Sequence, residues 1–144
     1  MSNKLNPTLT LESNSGSTGA FEDAAISLSV TDELTIANPI VGISKIQAEA
    51  SSGSLVTIKP SGSANQYVYI KNTGFQADGT TATTNQLSVF FNGTDTDGDT
   101  NTLESLRLGA DEFAFFPCMS DKVVQIRSSS SHVILTEYAY FTAG

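Results

Sequence analysis

The run Asp95-Thr96-Asp97-Gly98-Asp99 sets three carboxylates at alternate positions. Calcium loops begin this way, because Ca²⁺ draws several hard oxygens from one tight turn. The analogy stops there: Thr100 stands where the loop glycine belongs, and Leu106 stands where a bidentate Glu would close the site. The segment also links two alternating apolar runs, Gln86 to Asn92 and Leu103 to Leu108. It therefore reads as a polar hairpin tip, with Asp95, Asp97 and Asp99 kept as a weak calcium candidate and no metal ligand otherwise assigned.

Other constellations carry less chemistry. Nucleophilic catalysis needs a base within hydrogen-bond reach of the nucleophile, and the chain has one Cys, Cys118, and one His, His132. Cys118 follows Phe115-Phe116-Pro117 and reads as a buried, inert thiol, whereas His132 closes a run of four serines and reads as an exposed turn residue. Acidic pairs that could serve glycoside hydrolysis are Asp111 with Glu112 and Glu104 with Glu137. With no Trp to line a sugar cleft, they read as solvated carboxylates. A Cys and His zinc site is excluded by count, and glycine-rich phosphate loops and dinucleotide fingerprints are absent. No catalytic residue and no cofactor are expected, and the chain reads as a non-enzyme.

Charge narrows the partners. Seven Lys plus Arg face 15 Asp plus Glu, for a net charge of −8. Nucleic acid needs a cationic surface, so no nucleic-acid partner is expected. The charge is uneven: Ala50 to Ala77 holds only Lys59 and Lys71, whereas Asp78 to Asp121 holds eight acids against Arg107 alone. A single cysteine rules out an intrachain disulfide. The stretch Met1 to Thr10 lacks an apolar core for a secretory signal, and the apolar run Phe113 to Met119 is far short of a bilayer span. A soluble protein without membrane contact is expected.

The elements that must position these residues follow a period of two. Leu5, Pro7, Leu9 and Leu11 fall on one side of the first segment, which Pro7 marks as an edge or added strand. Ser13 to Gly19 has the composition of a flexible tether. Alternation continues at Ile26, Leu28 and Val30, at Ile46, Ala48 and Ala50, at Val56 and Ile58, and at Val68 and Ile70. It returns at Leu87, Val89 and Phe91, at Leu106 and Leu108, at Phe113 and Phe115, at Val124 and Ile126, and from Val133 to Phe141. Turn signals such as Pro60-Ser61-Gly62 and Asn72-Thr73-Gly74 separate the runs. Apolar residues do not recur at helical spacing over three turns; one short helical turn near Phe21 to Ala25 is allowed, and Gln76 to Gln86 reads as an exposed excursion. The expected fold is an all-β antiparallel sandwich or jelly roll of about 8–10 strands. It divides into an N-terminal arm and linker, residues 1–19, and one β-sandwich domain, residues 20–144.

The order of Leu106-Arg107-Leu108-Gly109-Ala110-Asp111-Glu112-Phe113-Ala114-Phe115-Phe116-Pro117, then Val123 to Ile126, then Val133 to Phe141, resembles the C-terminal sheet of small tailed-bacteriophage virion proteins. The resemblance covers under a third of the chain. It implies a capsid decoration, or cement, protein that bridges major capsid subunits or other virion subunits, assembles as a homo-oligomer with a trimer favoured over a dimer, and reaches the virion from the host cytoplasm. The arm residues Leu5, Pro7, Leu9 and Leu11 would then form the partner-binding strand, added to a neighbour's sheet edge. The alternative is a carbohydrate- or receptor-binding module of a virion, neck or tail, using Tyr67, Tyr69, Tyr138 or Tyr140 with the Asp95 to Asp99 turn.

Overall fold

A computed structural model of the chain describes residues 3–12, 27–39, 43–94 and 100–143. Among these residues there are twelve strands and no helix. The first four are β1 (Asn3–Leu5), β2 (Thr8–Glu12), β3 (Ser27–Thr31) and β4 (Leu34–Pro39). Next come β5 (Ser44–Ala48), β6 (Val56–Lys59), β7 (Gln66–Gln76) and β8 (Leu87–Thr94). The last four are β9 (Thr100–Leu108), β10 (Phe113–Cys118), β11 (Val123–Ser128) and β12 (Ile134–Ala143).

Two antiparallel sheets pack face to face as a sandwich. The larger runs β1-β4-β12-β7-β10, with β5 also on β12; the smaller runs β6-β11-β8-β9. Strand β12 organises the larger sheet. Its first half pairs with β5 and its end with β4, so those two lie end to end along one side, while β7 holds the other side.

The core follows from alternation. Along β7, Gln66, Val68, Ile70 and Asn72 are buried while Tyr67, Tyr69 and Lys71 are half-buried on the opposite face. Inward residues of the larger sheet, Ala48, Val68, Ile70, Cys118 and Ile134, meet Ile58, Leu87, Val89, Val124 and Ile126 of the smaller one. Each large aliphatic side chain taken fully out of water contributes roughly 1.5–3 kcal/mol to folding.

The strand count exceeds the expected 8–10 for two reasons. The first segment is split at Asn6-Pro7, so β1 joins the larger sheet through β4, while β2 leaves it to pair with β3. Proline carries no backbone N–H and interrupts a ladder. The other addition is β4, whose run Leu34-Thr35-Ile36-Ala37-Asn38-Pro39 ends in residues disfavoured in strands. Neighbours on both sides hold it there. The tether Ser13 to Gly19 and the helical turn at Phe21 to Ala25 lie outside the described residues.

The excursion after β7 is tied down rather than loose. A bulge at Asn72 to Gly74 shifts the register against β12, so that Thr136 faces Asn72 but Ile134 faces Gln76. The buried Asn72 amide donates to the carbonyls of Asn85 (2.9 Å) and Leu108 (3.1 Å), and its oxygen accepts from the Gly74 N–H (3.0 Å). Gly74 has φ 74°, a conformation that glycine adopts without strain. Beyond the bulge, Asp78 accepts from the N–H groups of Thr80 and Thr81 and from the Thr81 hydroxyl.

Candidate functional site

The constellations that could have carried chemistry come apart in the fold. Cys118 ends β10, and His132 lies in the turn between β11 and β12. The six residues of β11 therefore separate the two, a distance of roughly 20 Å at the rise of a strand. Cys118 is buried, and burial pushes its thiol pKa up. Glu104 faces outward from the smaller sheet, accepting from Arg107 Nε at 2.8 Å; hydrogen bonds from Ser88 and Arg107 hold its carboxyl below the usual range. Glu137 lies in the larger sheet, 3.9 Å from Lys45. The two glutamates thus belong to opposite faces of the sandwich and cannot flank one substrate bond.

Asp111 and Glu112 sit in the exposed turn between β9 and β10. There Glu112 accepts from the Gly109 N–H, and Asp111 adopts φ 64°, which Asp tolerates better than most residues. Both are accounted for by turn formation. Asp95, Asp97 and Asp99 lie outside the described residues; the strands on either side pair as far as Thr94 with Thr100. Leu106, at the position where a calcium loop would close, packs against the core. Among the described residues, no group of three or more His, Cys, Asp or Glu side chains is placed to hold a metal ion.

What the fold does bring together is apolar. Because β7, β10 and β12 pair in register, Tyr67 with Phe115's strand neighbour Pro117, Tyr69 with Phe115 and with Ala139, and Tyr67 with Phe141, their odd-numbered residues share the outer face of the larger sheet. The rings of Tyr67 and Phe115 stack with centroids 5.9 Å apart, and those of Tyr69 and Phe113 lie tilted at 6.5 Å. Phe113 is 62% exposed. Burial, reinforced by the nearby Glu137 carboxylate, pushes the Tyr69 phenol pKa up.

An apolar hollow of about 210 Å³ opens on this face, walled by Leu5, Pro7, Ile43, Tyr69, Phe115 and Phe141 over Ala139. Ala139 is fully buried yet stands apart from the central core cluster. A small side chain on the outer face, roofed by the β1–β2 connection and Ile43, makes the floor. The four tyrosines of the sequence reading divide accordingly. Tyr67 and Tyr69 look outward, whereas Tyr138 and Tyr140 pack against the core.

The second feature is the ribbon of β2 and β3. Leu9 pairs with Val30 and Leu11 with Leu28, so one face carries four large aliphatic side chains. They are 44–50% exposed. The base of the ribbon is fixed: Asp32 N–H donates to the Pro7 carbonyl (3.2 Å), and Lys4 meets Glu33 at 2.5 Å. Of the arm residues, Leu5 and Pro7 are half-buried at the hollow while Leu9 and Leu11 project into solvent. The parity of Leu28 and Val30 was visible in the sequence, but their pairing with Leu9 and Leu11 across the intervening residues was not.

Comparison with known proteins adds nothing to this geometry. No family model, curated protein or solved structure matches the chain. The functional reading therefore rests on the outer sheet face, its hollow and the ribbon beside it.

Proposed function

We propose that this chain is a non-enzymatic structural subunit of a virion, a capsid decoration (cement) protein that bridges and stabilises major capsid subunits. One observation carries the reading: the exposed large apolar side chains are concentrated at attachment-like surfaces instead of being scattered. Of the nine among the described residues, four form the ribbon face and two more, Ile43 and Phe113, border the aromatic sheet face. Concentrated apolar surface marks an interaction site, whereas single exposed hydrophobics do not. The C-terminal resemblance to tailed-phage virion proteins supplies the setting, and the sandwich fold agrees with it.

The mechanism is mechanical. Apolar side chains leave water at a neighbouring subunit, and the symmetry of a shell multiplies individually weak contacts. Removing residues 1–19 would also remove β1 from the sheet, so point substitutions give the cleaner test. The double variant Leu9→Ser, Leu11→Ser is expected to fold normally and to lose co-sedimentation with capsids lacking the protein. Wild-type co-sedimentation by that variant would overturn the role of the arm.

The stacked Tyr67–Phe115 pair on the outer face favours a second reading, a carbohydrate- or receptor-binding module of a virion. Sugar rings stack on such aromatic faces. Saturation-transfer NMR with mixed oligosaccharides separates the two: contact signals that vanish in Tyr67→Ala would favour the module.

A further inference from the structure

Strand β6 breaks the alternation that builds the rest of the core. Thr57 is exposed and Ile58 buried, so a regular strand would turn the next side chain, Lys59, toward solvent. Instead Val124 of β11 pairs with Lys59 while Gln125 pairs with Thr57, which leaves Ile58 as the extra residue of a bulge. Bulges re-aim side chains, and this one points a lysine inward until its whole side chain is buried. A buried charge needs partners. Those of Lys59 are all backbone: its ammonium donates to the carbonyls of Met119 (2.8 Å), Ser120 (3.4 Å) and Lys122. Asp121, set among those residues in the chain, pairs with the Lys122 ammonium at 3.3 Å instead.

The turn that supplies these carbonyls is held by bonds in which Lys59 has no part. The Lys122 N–H donates to the Met119 carbonyl (3.3 Å), and the Gly62 N–H to the Ser120 carbonyl (2.7 Å). The Ser120 N–H donates to the Asn65 side-chain oxygen (3.2 Å). Ladder pairs fix both ends, Cys118 against Gln66 and Val123 against Asn92. Backbone carbonyls converging on one point can replace the water around a monovalent cation. A primary ammonium suits this set, because its three N–H groups match the three carbonyls and its stem lies along apolar surface. Desolvation lowers the Lys59 pKa, and hydrogen bonds to the charged form offset that cost.

We propose that the β10–β11 turn is a preformed site for a primary ammonium, that Lys59 is its tethered occupant, and that a free alkylammonium ion takes the site when this side chain is cut back. The inference goes beyond the virion reading and does not depend on it. It assigns an internal cation site at the point where the chain crosses from the larger sheet to the smaller.

Thermal melting of the full-chain variant Lys59→Ala tests it. Alanine keeps the β-carbon, so n-propylammonium replaces the stem and the ammonium that were removed. The variant is expected to melt below wild type and to recover more than half of that loss as propylammonium chloride is added, since a ligand bound only by the folded state stabilises it by mass action. Wild type, whose site is already filled, is expected not to shift. Tetramethylammonium chloride at matched ionic strength, a cation without N–H donors, and n-propanol, a stem without charge, are expected to leave the variant where sodium chloride leaves it. A rise with propylammonium no larger than with tetramethylammonium overturns the proposal, as does an equal rise in wild type. If Lys59→Ala does not fold, Lys59→Met keeps the stem without the ammonium, and ammonium chloride becomes the probe. A rise in melting temperature above the sodium chloride control is then expected, and no rise overturns the proposal. In wild type at neutral pH, nitrogen-15 NMR is expected to show Lys59 Nζ coupled to three protons; a neutral amine there also overturns it.

Discussion

Lys59 is the least expected residue of the core. Its side chain is fully buried at the end of β6, and its ammonium donates to the carbonyls of Met119 (2.8 Å), Ser120 (3.4 Å) and Lys122. One cation thus gathers the turn between β10 and β11 and ties it to the smaller sheet. Desolvation lowers the Lys59 pKa, with Cys118 and Asp121 opposing the shift. Lys59→Ala leaves the carbonyls without a donor and opens a cavity, and is expected to destabilise the fold by about 3 kcal/mol. Urea unfolding measures the loss.

Asp78 acts at the surface. Hydrogen bonds from Thr81 and Thr80 hold its carboxyl down to about 2, from an ordinary value of 3.8. A carboxyl whose folded pKa is depressed contributes stability that is present above the unfolded pKa and is lost as pH falls through the folded one. The turn after β7 is therefore expected to loosen between about pH 4 and pH 2. An NMR titration of the Asp78 carboxyl should give a midpoint near 2; a midpoint near 4 would show that these hydrogen bonds do not persist in solution.

At the scale of elements, the bulge of β7 decides how three segments meet. Asn72 holds the end of the excursion and the end of β9 through Asn85 and Leu108, while the Thr73 hydroxyl donates to the Leu135 backbone carbonyl of β12 at 2.6 Å. Gly74 allows the turn of the chain, and a β-carbon there would come within 3.4 Å of the Asp111 side chain. Gly74→Ala is expected to cost about 1–2 kcal/mol, chiefly through its positive φ. The accompanying observation is faster amide exchange at Gln76 and Thr83, whose N–H groups donate to Thr81 and Gly74. A melting temperature unchanged from wild type would contradict the strain argument.

For the molecule as a whole, two outer faces with different characters follow from one sandwich. The smaller sheet turns out Glu104, Arg107 and Arg127, the last placed over the Phe90 ring at 5.5 Å, so its surface is satisfied by local pairs. The larger sheet turns out Tyr67, Phe113 and Phe115 around an apolar hollow. The exposed aromatic and apolar surface therefore lies on the larger sheet. Millimolar calcium is expected to leave the melting temperature unchanged, because a ligand bound only by the folded state would raise it, and Leu106 occupies the position of the closing carboxylate. A rise lost in Asp97→Asn would return the Asp95 to Asp99 run to consideration.

Alternation in the sequence was enough to establish an all-β antiparallel fold, sandwich or jelly roll, because a period of two commits each strand to one buried and one outward face wherever it pairs. Val68 and Ile70, Leu87 and Val89, and Val124 and Ile126 are inward as that pattern requires. The exposed turn of Asp111 and Glu112 was legible too, since its chemistry is local. Pairing partners were not legible. Which tyrosines face out depends on the register of β12 against β7, and a shift of one residue would exchange Tyr138 and Tyr140 for Ala139 and Phe141. The match of Leu9 with Val30, the end-to-end placement of β4 and β5, and the roof of Leu5 and Pro7 over Ala139 join residues far apart in the chain. The sequence by itself located most of the strands, because alternation depends on neighbouring residues, but not β4 or the outward face of Phe113 and Phe115. Only the tertiary structure decided which faces meet, because long-range pairing is chosen by the packing of the whole sandwich.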